Sequence, residues 1–170
     1  MSKPVINLDA LKLSPIAVPG AAPERYVGSS IAPISFHLGA QKLGYNLTEV
    51  PPGKAAFPMH NHFANEEMFF ILSGQGELRV GPDRFPLRAH DVIACPPGGT
   101  ETAHQIVNTS ETEPLRYLAV STAITPELVQ YPESGKTGAS FFTGRDENGR
   151  PKGIRMINRE GNNLDYWEGE

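Results

Sequence analysis

The sequence has a single cysteine and no long run of apolar residues, and both absences narrow what the protein can be. With Cys95 alone, no disulfide can form within the chain, which is typical of proteins from a reducing compartment. A membrane-spanning helix needs roughly 18 consecutive apolar residues, and no stretch approaches that length. The first residues also lack the apolar core of a signal peptide, so we expect a cytoplasmic protein.

Positive charge is also scarce, and it is never concentrated in one long run. The formal net charge is -4 at pH 7, which makes neither nucleic acid nor an anionic membrane surface a natural partner. No segment has the pattern of a DNA-binding helix-turn-helix. We therefore expect the partner to be a small-molecule substrate or ligand.

Glycine and proline, by contrast, are abundant, with 17 and 16 residues in a chain of 170. They divide the chain into short segments rich in strand-forming residues. The segments are residues 44–50, 68–72, 74–81, 85–87, 92–94, 104–108 and 115–122. Strands of this length and spacing predict an all-β barrel or sandwich, and the chain is long enough to bury a core as one domain.

Three histidines and a glutamate in the middle of the chain have the spacing of a metal site. His60 and His62 are two residues apart, so on a strand they share one face and can reach one ion. Glu67 has the wrong parity to continue that strand, but a turn at residues 63–66 lets it open the next strand and face inward. His104 begins a later strand, beyond a turn rich in glycine and proline. We predict one divalent metal site with four ligands: His60, His62, Glu67 and His104.

The same residues resemble the two signature motifs of the cupin superfamily. In that family a glycine, an H-x-H pair, a glutamate and a second glycine precede a P-x-G turn, a histidine and an asparagine. The matching residues here are Gly53, His60, His62, Glu67, Gly74, Pro96, Gly98, His104 and Asn108. Of the two adjacent acids, Glu67 rather than Glu66 keeps the family's spacing to Gly74. His90 stands where the second motif usually opens with glycine, and the loop from Gly98 to His104 is longer than usual.

The resemblance implies a double-stranded β-helix of the jelly-roll type, a cupin barrel, with the metal inside its open end. We expect residues 31–124 to form this barrel. Residues 1–30 are expected to form an extended N-terminal arm that packs on the barrel or on a partner. Residues 125–170 are expected to form a short helix, capped by Thr125 with Pro126 at its first position, and a mostly irregular C-terminal tail.

Three imidazoles and one carboxylate suit Mn, Fe, Co, Ni or Zn, and the ligands leave the identity of the ion open. In octahedral geometry two positions remain for water or substrate. The resemblance is strongest to small single-domain bacterial cupins that are often given the name of sugar-phosphate isomerases. That implied activity would use the metal to stabilise an enediolate. It also needs a base, for which Glu67 and Glu101 are the candidates.

Two other functions remain open at this point. An iron-dependent dioxygenase would use the same pocket, with oxygen and substrate in the two free positions. A non-catalytic binding or sensor module would use the ion only to hold a small ligand. Metal analysis and oxygen uptake discriminate between these functions.

The C-terminal tail carries several arginines, and its role depends on where it lies. If it folds over the barrel mouth, these arginines can bind an anionic substrate group; otherwise they belong to a solvated segment. They are Arg145, Arg150, Arg155 and Arg159. Near the end of the chain Leu164, Tyr166 and Trp167 are expected to pin the tail to the barrel, because a wholly exposed aromatic pair is unusual.

The segment 68–72 is apolar on both strand faces, so its outer face needs cover from the N-terminal arm or from a second subunit. We therefore expect a homodimer.

His90 is expected to be a turn residue rather than a fifth ligand. His37 is expected either to be satisfied within the fold or to face the pocket as an acid–base group. Cys95 is expected to be a small buried hydrophobe.

Overall fold

β-Strands make up most of the regular structure of this protein. The structure is a computed structural model that describes residues 4–16, 20–146, 151–159 and 161–170, without the side chains of residues 145 and 151. In chain order the elements are β1 (Ser14–Pro15), β2 (Ser30–Pro33), α1 (Ser35–Leu38), β3 (Leu43–Val50), β4 (Asn61–His62), β5 (Glu67–Ser73), β6 (Gln75–Val80), β7 (Asp83–Arg88), β8 (Val92–Cys95), β9 (His104–Asn108), β10 (Leu115–Thr122), β11 (Glu127–Tyr131), β12 (Lys136–Arg145) and β13 (Pro151–Arg159). Short 3-10 helices lie at Leu8–Ala10, Glu24–Tyr26, Thr100–Thr102 and Pro132–Ser134.

The strands of the described residues pair into three antiparallel sheets. The largest has the order β1-β2-β3-β10-β5-β8, the second β13-β12-β11-β4 and the third β7-β6-β9. In the largest sheet β10 lies between two partners, and its Leu118 pairs with Leu47 of β3 and with Phe70 of β5. The all-β fold class predicted from the sequence is confirmed.

The main core lies between the six-stranded and the three-stranded sheets. Because side chains alternate along a strand, Phe69 and Ile71 of β5 and Tyr117 of β10 point into it together. The core consists of Val50, Ala56, Phe69, Ile71, Leu78, Leu87, Ile93, Cys95, Ile106, Leu115 and Tyr117. Cys95 is therefore the buried hydrophobe that the sequence predicted. Burial, together with the charge of Glu67, raises the pKa of its thiol to about 12.

The N-terminal arm covers the outer face of the six-stranded sheet. Its apolar residues pack against a second cluster, formed by Ala32, Ile34 and Leu47 and joined by Leu72 and Leu118 from the neighbouring strands. The packed arm residues are Ile6, Leu8, Leu11 and Leu13. Residues 1–3 and 17–19 of the arm lie outside the described residues. The arm thus covers part of the outer face of β5, for which the sequence had suggested either this arm or a second subunit.

The C-terminal part of the chain is not an irregular tail, and this corrects the sequence-based prediction. Residues 127–131, expected to form a short helix, form strand β11. Strand β11 pairs with β4 on one side and with the hairpin of β12 and β13 on the other. Val129 and Tyr131 are strong strand formers, and the free edge of β4 gives their backbone groups partners that a one-turn helix would lack.

The last residues do not pin the chain to the barrel, which corrects a second expectation. Leu164, Tyr166 and Trp167 are 77%, 84% and 73% exposed. Tyr166 and Trp167 instead contact each other, edge to face, with ring centroids 4.8 Å apart. Their contact is therefore local, and no barrel residue buries it.

His90 takes over the conformational role of the glycine that usually stands at its position. Its φ is 77°, in the left-handed region that favours glycine. The backbone N–H of His90 donates to the carbonyl of Ile71 at 2.7 Å, and its ring stacks on Phe70. These two contacts hold the turn, and His90 is an exposed turn residue as the sequence predicted.

Candidate metal centre

Backbone pairing brings the distant histidines together. His60 lies next to β4 and forms an isolated antiparallel bridge with His104 at the start of β9. The two residues exchange both backbone hydrogen bonds, at 3.1 Å and 2.8 Å. His62 lies on β4 and Glu67 opens β5. The structure therefore gathers all four side chains that the sequence singled out as ligands.

The side chains converge on one carboxylate oxygen. Glu67 Oε2 lies 3.7 Å from His60 Nε2, 3.5 Å from His62 Nε2 and 3.0 Å from His104 Nε2. The donor atoms of His60, His62 and Glu67 all lie within 4.8 Å of one another. Ligand atoms about 2 Å from one ion are separated by distances of this order.

The other ring nitrogen of each histidine faces an oxygen atom of the protein. His60 Nδ1 donates to the carbonyl of Pro58 at 2.8 Å, and His104 Nδ1 faces the carbonyl of Thr102 at 3.3 Å. A carbonyl can only accept, so the proton of the His60 ring is on Nδ1 and the lone pair of its Nε2 points into the cluster. His104 Nε2 lies within hydrogen-bond distance of Glu67 Oε2, at 3.0 Å. Histidines that bind metals are usually oriented in this way.

The pKa shifts show why a cation fits this arrangement. Burial, followed by the charge of His104, lowers the pKa of His60 to about 4. Burial alone would raise the pKa of Glu67, but hydrogen bonds from His104 and His62 outweigh it and hold this pKa well below its ordinary value. An ionised carboxylate thus lies beside the His60 imidazole, which resists protonation. One carboxylate and several ring nitrogens within ligand distance of one another are a donor set for a divalent ion, so the residues present fit the implied metal.

Glu127, which the sequence did not single out, stands behind His62. Its carboxylate is buried and accepts hydrogen bonds from backbone N–H groups of Phe63 (3.1 Å), Ala64 (3.2 Å), Asn65 (2.9 Å) and Leu128 (2.9 Å), and from the side-chain amide of Asn65. Its Oε2 also lies 3.6 Å from His62 Nδ1. Burial, the largest influence, lowers the pKa of His62, but Glu67 and Glu127 together raise it above its ordinary value. Glu127 therefore fixes both the turn after His62 and the surroundings of its ring.

The other candidate residues lie apart from this centre. Glu101, the second base candidate, is exposed in a 3-10 helix, where its Oε1 accepts from the backbone N–H of Gly99 at 2.9 Å. This hydrogen bonding lowers the pKa of its carboxyl. His37 is exposed on α1, where its ring contacts Phe36.

A cavity of about 640 Å³ opens beside the centre and includes His62 in its wall. One face of the β13-β12-β11-β4 sheet forms much of this wall. Its polar lining groups include Gln41, Asn65, Ser121, Thr122, Ser140 and Arg155. Of the arginines expected in the tail, Arg155 alone is a described lining residue. Arg150 and the side chain of Arg145 lie outside the described residues, and Arg159 lies further along β13.

Comparison with known families supports the resemblance seen in the sequence. Residues 46–121 match the cupin domain family, and the match contains all four metal-ligand candidates. This segment is a cupin domain. Over 72 residues the chain is 33% identical to an uncharacterized protein of Methanocaldococcus jannaschii, which covers 42% of this chain. The chain spans about half, 54%, of the length of that curated relative.

Solved structures show that the cupin likeness extends beyond this segment. A sugar phosphate isomerase of Silicibacter pomeroyi, described as a member of a cupin superfamily, is similar over 94% of both chains, with a TM-score of 0.73 and 22% identity. A predicted oxalate decarboxylase of Thermotoga maritima is similar over 71% of this chain and 99% of its own, with a TM-score of 0.56 and 24% identity. At these identities the likeness shows the fold alone, and the double-stranded β-helix is confirmed.

No helix of the described residues has the length and apolar character that crossing a bilayer requires.

Proposed function

We propose that this cupin is a metal-dependent enzyme that acts on a small oxygenated substrate, with an isomerase-like reaction on a sugar phosphate as the leading candidate. The observation that carries the proposal is the position of His62, which belongs to the ligand cluster and also lines the cavity. A molecule in this cavity therefore lies beside the ligands. The volume of about 640 Å³ is within the usual range of small-molecule sites.

A divalent ion held by His60, His62, Glu67 and His104 would supply Lewis-acid polarisation of a carbonyl or hydroxyl oxygen. The chain's own residues supply the rest of the site. Hydroxyl and amide groups along the cavity offer hydrogen bonds to a hydroxylated molecule, and the sheet face behind them excludes water from one side. They belong to Gln41, Ser121, Thr122 and Ser140. Glu67 belongs to the ligand cluster beside the cavity and Glu127 lines the cavity, whereas Glu101 is exposed and bonded to Gly99.

The likeness to a sugar phosphate isomerase supports the choice of reaction, although it rests on fold. Glu67 would take part in proton transfer only by leaving the metal. The metal site and the adjoining cavity stand on geometry that belongs to this chain.

The first test is elemental analysis of protein purified without added metal, followed by thermal-shift measurements with ribose 5-phosphate, pyruvate and catechol. We expect close to one equivalent of Mn, Fe, Co, Ni or Zn, and a rise in melting temperature with ribose 5-phosphate that EDTA treatment abolishes. Iron together with oxygen uptake on catechol would instead favour a dioxygenase. A ligand that binds without turnover would favour a sensor. Protein that retains no metal after incubation with each of these ions would contradict the proposal.

We further propose that the protein works in the cytoplasm, on a small molecule rather than on nucleic acid or a membrane. The net charge of -4 supports the choice of partner, because it gives no attraction to phosphate backbones or anionic lipid. Cys95 supports a reducing compartment, since it is a free and buried thiol.

Assembly as a homodimer is a third proposal, and the structure offers a different surface for it from the one suggested by sequence. The outer face of the C-terminal hairpin carries Phe141, Ile154 and Met156, which are 45%, 59% and 60% exposed, next to Leu128 of β11. Contiguous apolar residues of this kind mark interaction surfaces. A second copy of the chain would bury them.

Sedimentation velocity at about 10 μM protein measures whether the chain is a monomer or a dimer, because that concentration lies above the dissociation constant of a typical stable dimer. We expect a dimer for the natural sequence and a monomer for Met156→Glu. The matched control is Val92→Glu, at a position 69% exposed on the edge strand β8, which should leave the dimer intact. A monomeric natural protein would refute the dimer, and loss of the dimer in Val92→Glu alone would refute this surface.

A further inference from the structure

The sheet that carries His62 also carries an arginine on the same face. Val129 of β11 is paired with His62, while Glu127 is paired with Ser140 and Ser140 with Arg155 of β13. Directly opposed residues share one face of a sheet, as do residues two apart on one strand. His62 and Arg155 therefore both belong to the face that lines the cavity, and both are lining residues.

Arg155 differs from the other lining residues in its charge. Among the described residues that line the cavity it is the sole arginine or lysine. Other arginines of the barrel are engaged: Arg79 binds Gln105 and Glu133, and Arg116 lies 3.4 Å from Glu49. Within the described residues, no hydrogen bond or ion pair of the side chain joins Arg155 to a neighbour. Its planar guanidinium is thus available to a ligand.

The acid nearest in the same row of the sheet does not neutralise this arginine. Glu127 is buried, and its two oxygens already accept hydrogen bonds from the backbone of residues 63–65 and 128. Its negative charge lies between the ligand cluster and Arg155 along the sheet. An anionic group in the middle of the cavity would therefore be repelled, whereas one at the β13 end would meet a guanidinium.

The spacing of the strands indicates what kind of molecule reaches both ends. Strands β4 and β13 are separated by three steps in the sheet, which is roughly 14 Å between their backbones. Side chains stand roughly perpendicular to a sheet, so the imidazole and the guanidinium remain well apart. A single small anion does not span this gap. A molecule of several carbons does, if its charged group is remote from the oxygens that it presents at the His62 end.

We propose that Arg155 binds the anionic group of the substrate, a phosphate or a carboxylate at the end of a hydroxylated carbon chain whose other end lies at the His62 side of the cavity. A guanidinium forms two parallel hydrogen bonds to either anion, and Ser140 beside it offers a further hydroxyl. The inference rests on the proposed function, because it assumes that the cavity is the substrate site. It adds the residue that binds the anionic group and the end of the cavity where that group lies.

The test compares charged and neutral sugars on metal-loaded protein by isothermal titration calorimetry. Ribose 5-phosphate is paired with ribose, and glucuronate with glucose, so that the two arms distinguish a phosphate from a carboxylate. We expect the natural sequence to bind one of the two anions about 10- to 100-fold more tightly than its neutral partner, as charge-assisted hydrogen bonds predict. Arg155→Gln should lose this preference and Arg155→Lys should keep part of it.

Arg159→Gln is the matched control, since it removes the same charge from the same strand. Arg159 donates from Nε to the carbonyl of Ser134 at 3.2 Å and does not line this cavity. This variant should keep the full preference for the anion. The assignment is overturned if the natural protein binds the charged and neutral sugars equally or binds none of them, or if Arg155→Gln keeps the preference.

The metal content of each variant separates this inference from the function on which it rests. Arg155 is not among the metal-ligand candidates, so Arg155→Gln should contain as much metal as the natural sequence. A natural protein that binds no metal refutes the proposed function. A metal-loaded protein that ignores the charge of the sugar refutes only the role of Arg155.

Discussion

Glu67→Gln is expected to lower the affinity for a divalent metal by at least about 100-fold, more than is typical for changes behind the ligands. Glu67 supplies the only negative charge among the four ligand candidates, and its Oε2 is the atom on which three imidazole nitrogens converge. Glutamine has nearly the same shape but carries no charge, and its amide group can donate to one of these nitrogens. Isothermal titration with Mn²⁺ and Zn²⁺ measures the loss.

The chain offers a matched control in the preceding residue. Glu66 is exposed and its side chain contacts none of the histidines, so Glu66→Gln removes the same charge one position away. We expect this variant to bind both ions with the affinity of the natural sequence. Equal affinity in Glu67→Gln would mean that the carboxylate is not a ligand. An equal loss in both variants would point to the overall charge rather than to coordination.

Glu127→Ala is expected to destabilise the metal-free protein by about 3 to 5 kcal/mol. The substitution leaves the backbone N–H groups of Ala64 and Asn65 without their acceptor, while that of Phe63 keeps the carbonyl of Leu128. Each lost partner of a buried donor costs about 1–3 kcal/mol, not fully additively. Because the turn carries the chain from His62 to Glu67, we also expect a loss of about 10- to 100-fold in metal affinity. Urea unfolding and titration calorimetry provide the two measurements.

Two further variants separate the causes of this effect. Glu127→Gln keeps one carbonyl oxygen as acceptor, so it should be less destabilised than Glu127→Ala. Glu111→Ala, at an exposed loop position, should unfold at the same urea concentration as the natural sequence. If Glu127→Ala unfolds at the same urea concentration as Glu111→Ala and the natural sequence, the hydrogen bonds to Glu127 do not stabilise the turn. If it is destabilised but binds metal normally, the turn does not position His62.

Much of the fold and the four ligand candidates were accessible from the sequence because they depend on short-range regularities. The alternation of side chains placed His60 and His62 on one face and required a turn before Glu67. The strand 115–122 was bounded by its own composition, and the structure has β10 over the same residues. Residues next to Cys95 and His90 in the sequence also indicated a buried thiol and a turn residue, and the structure has both.

The parts that the sequence missed depend on pairing between distant segments. Thr125, Pro126 and Glu127 form a good local signal for a helix start, but the edge of β4 overrides it by pairing with β11. The role of Glu127 follows from that pairing alone, so no local pattern near residue 127 could reveal it. Arg155 likewise reaches the cavity wall through two further strand registers, which composition does not encode.

The four metal-ligand candidates and the arginine that lines the cavity lie on different stretches of the chain. His60, His62, Glu67 and His104 all fall within residues 46–121, whereas Arg155 lies on β13, in a hairpin that begins at Lys136. The two proposals thus assign the metal site and the selection of the molecule to separate stretches of the chain. On these proposals, another β12–β13 hairpin on the same barrel is expected to change which molecule binds without altering the four residues that would hold the ion.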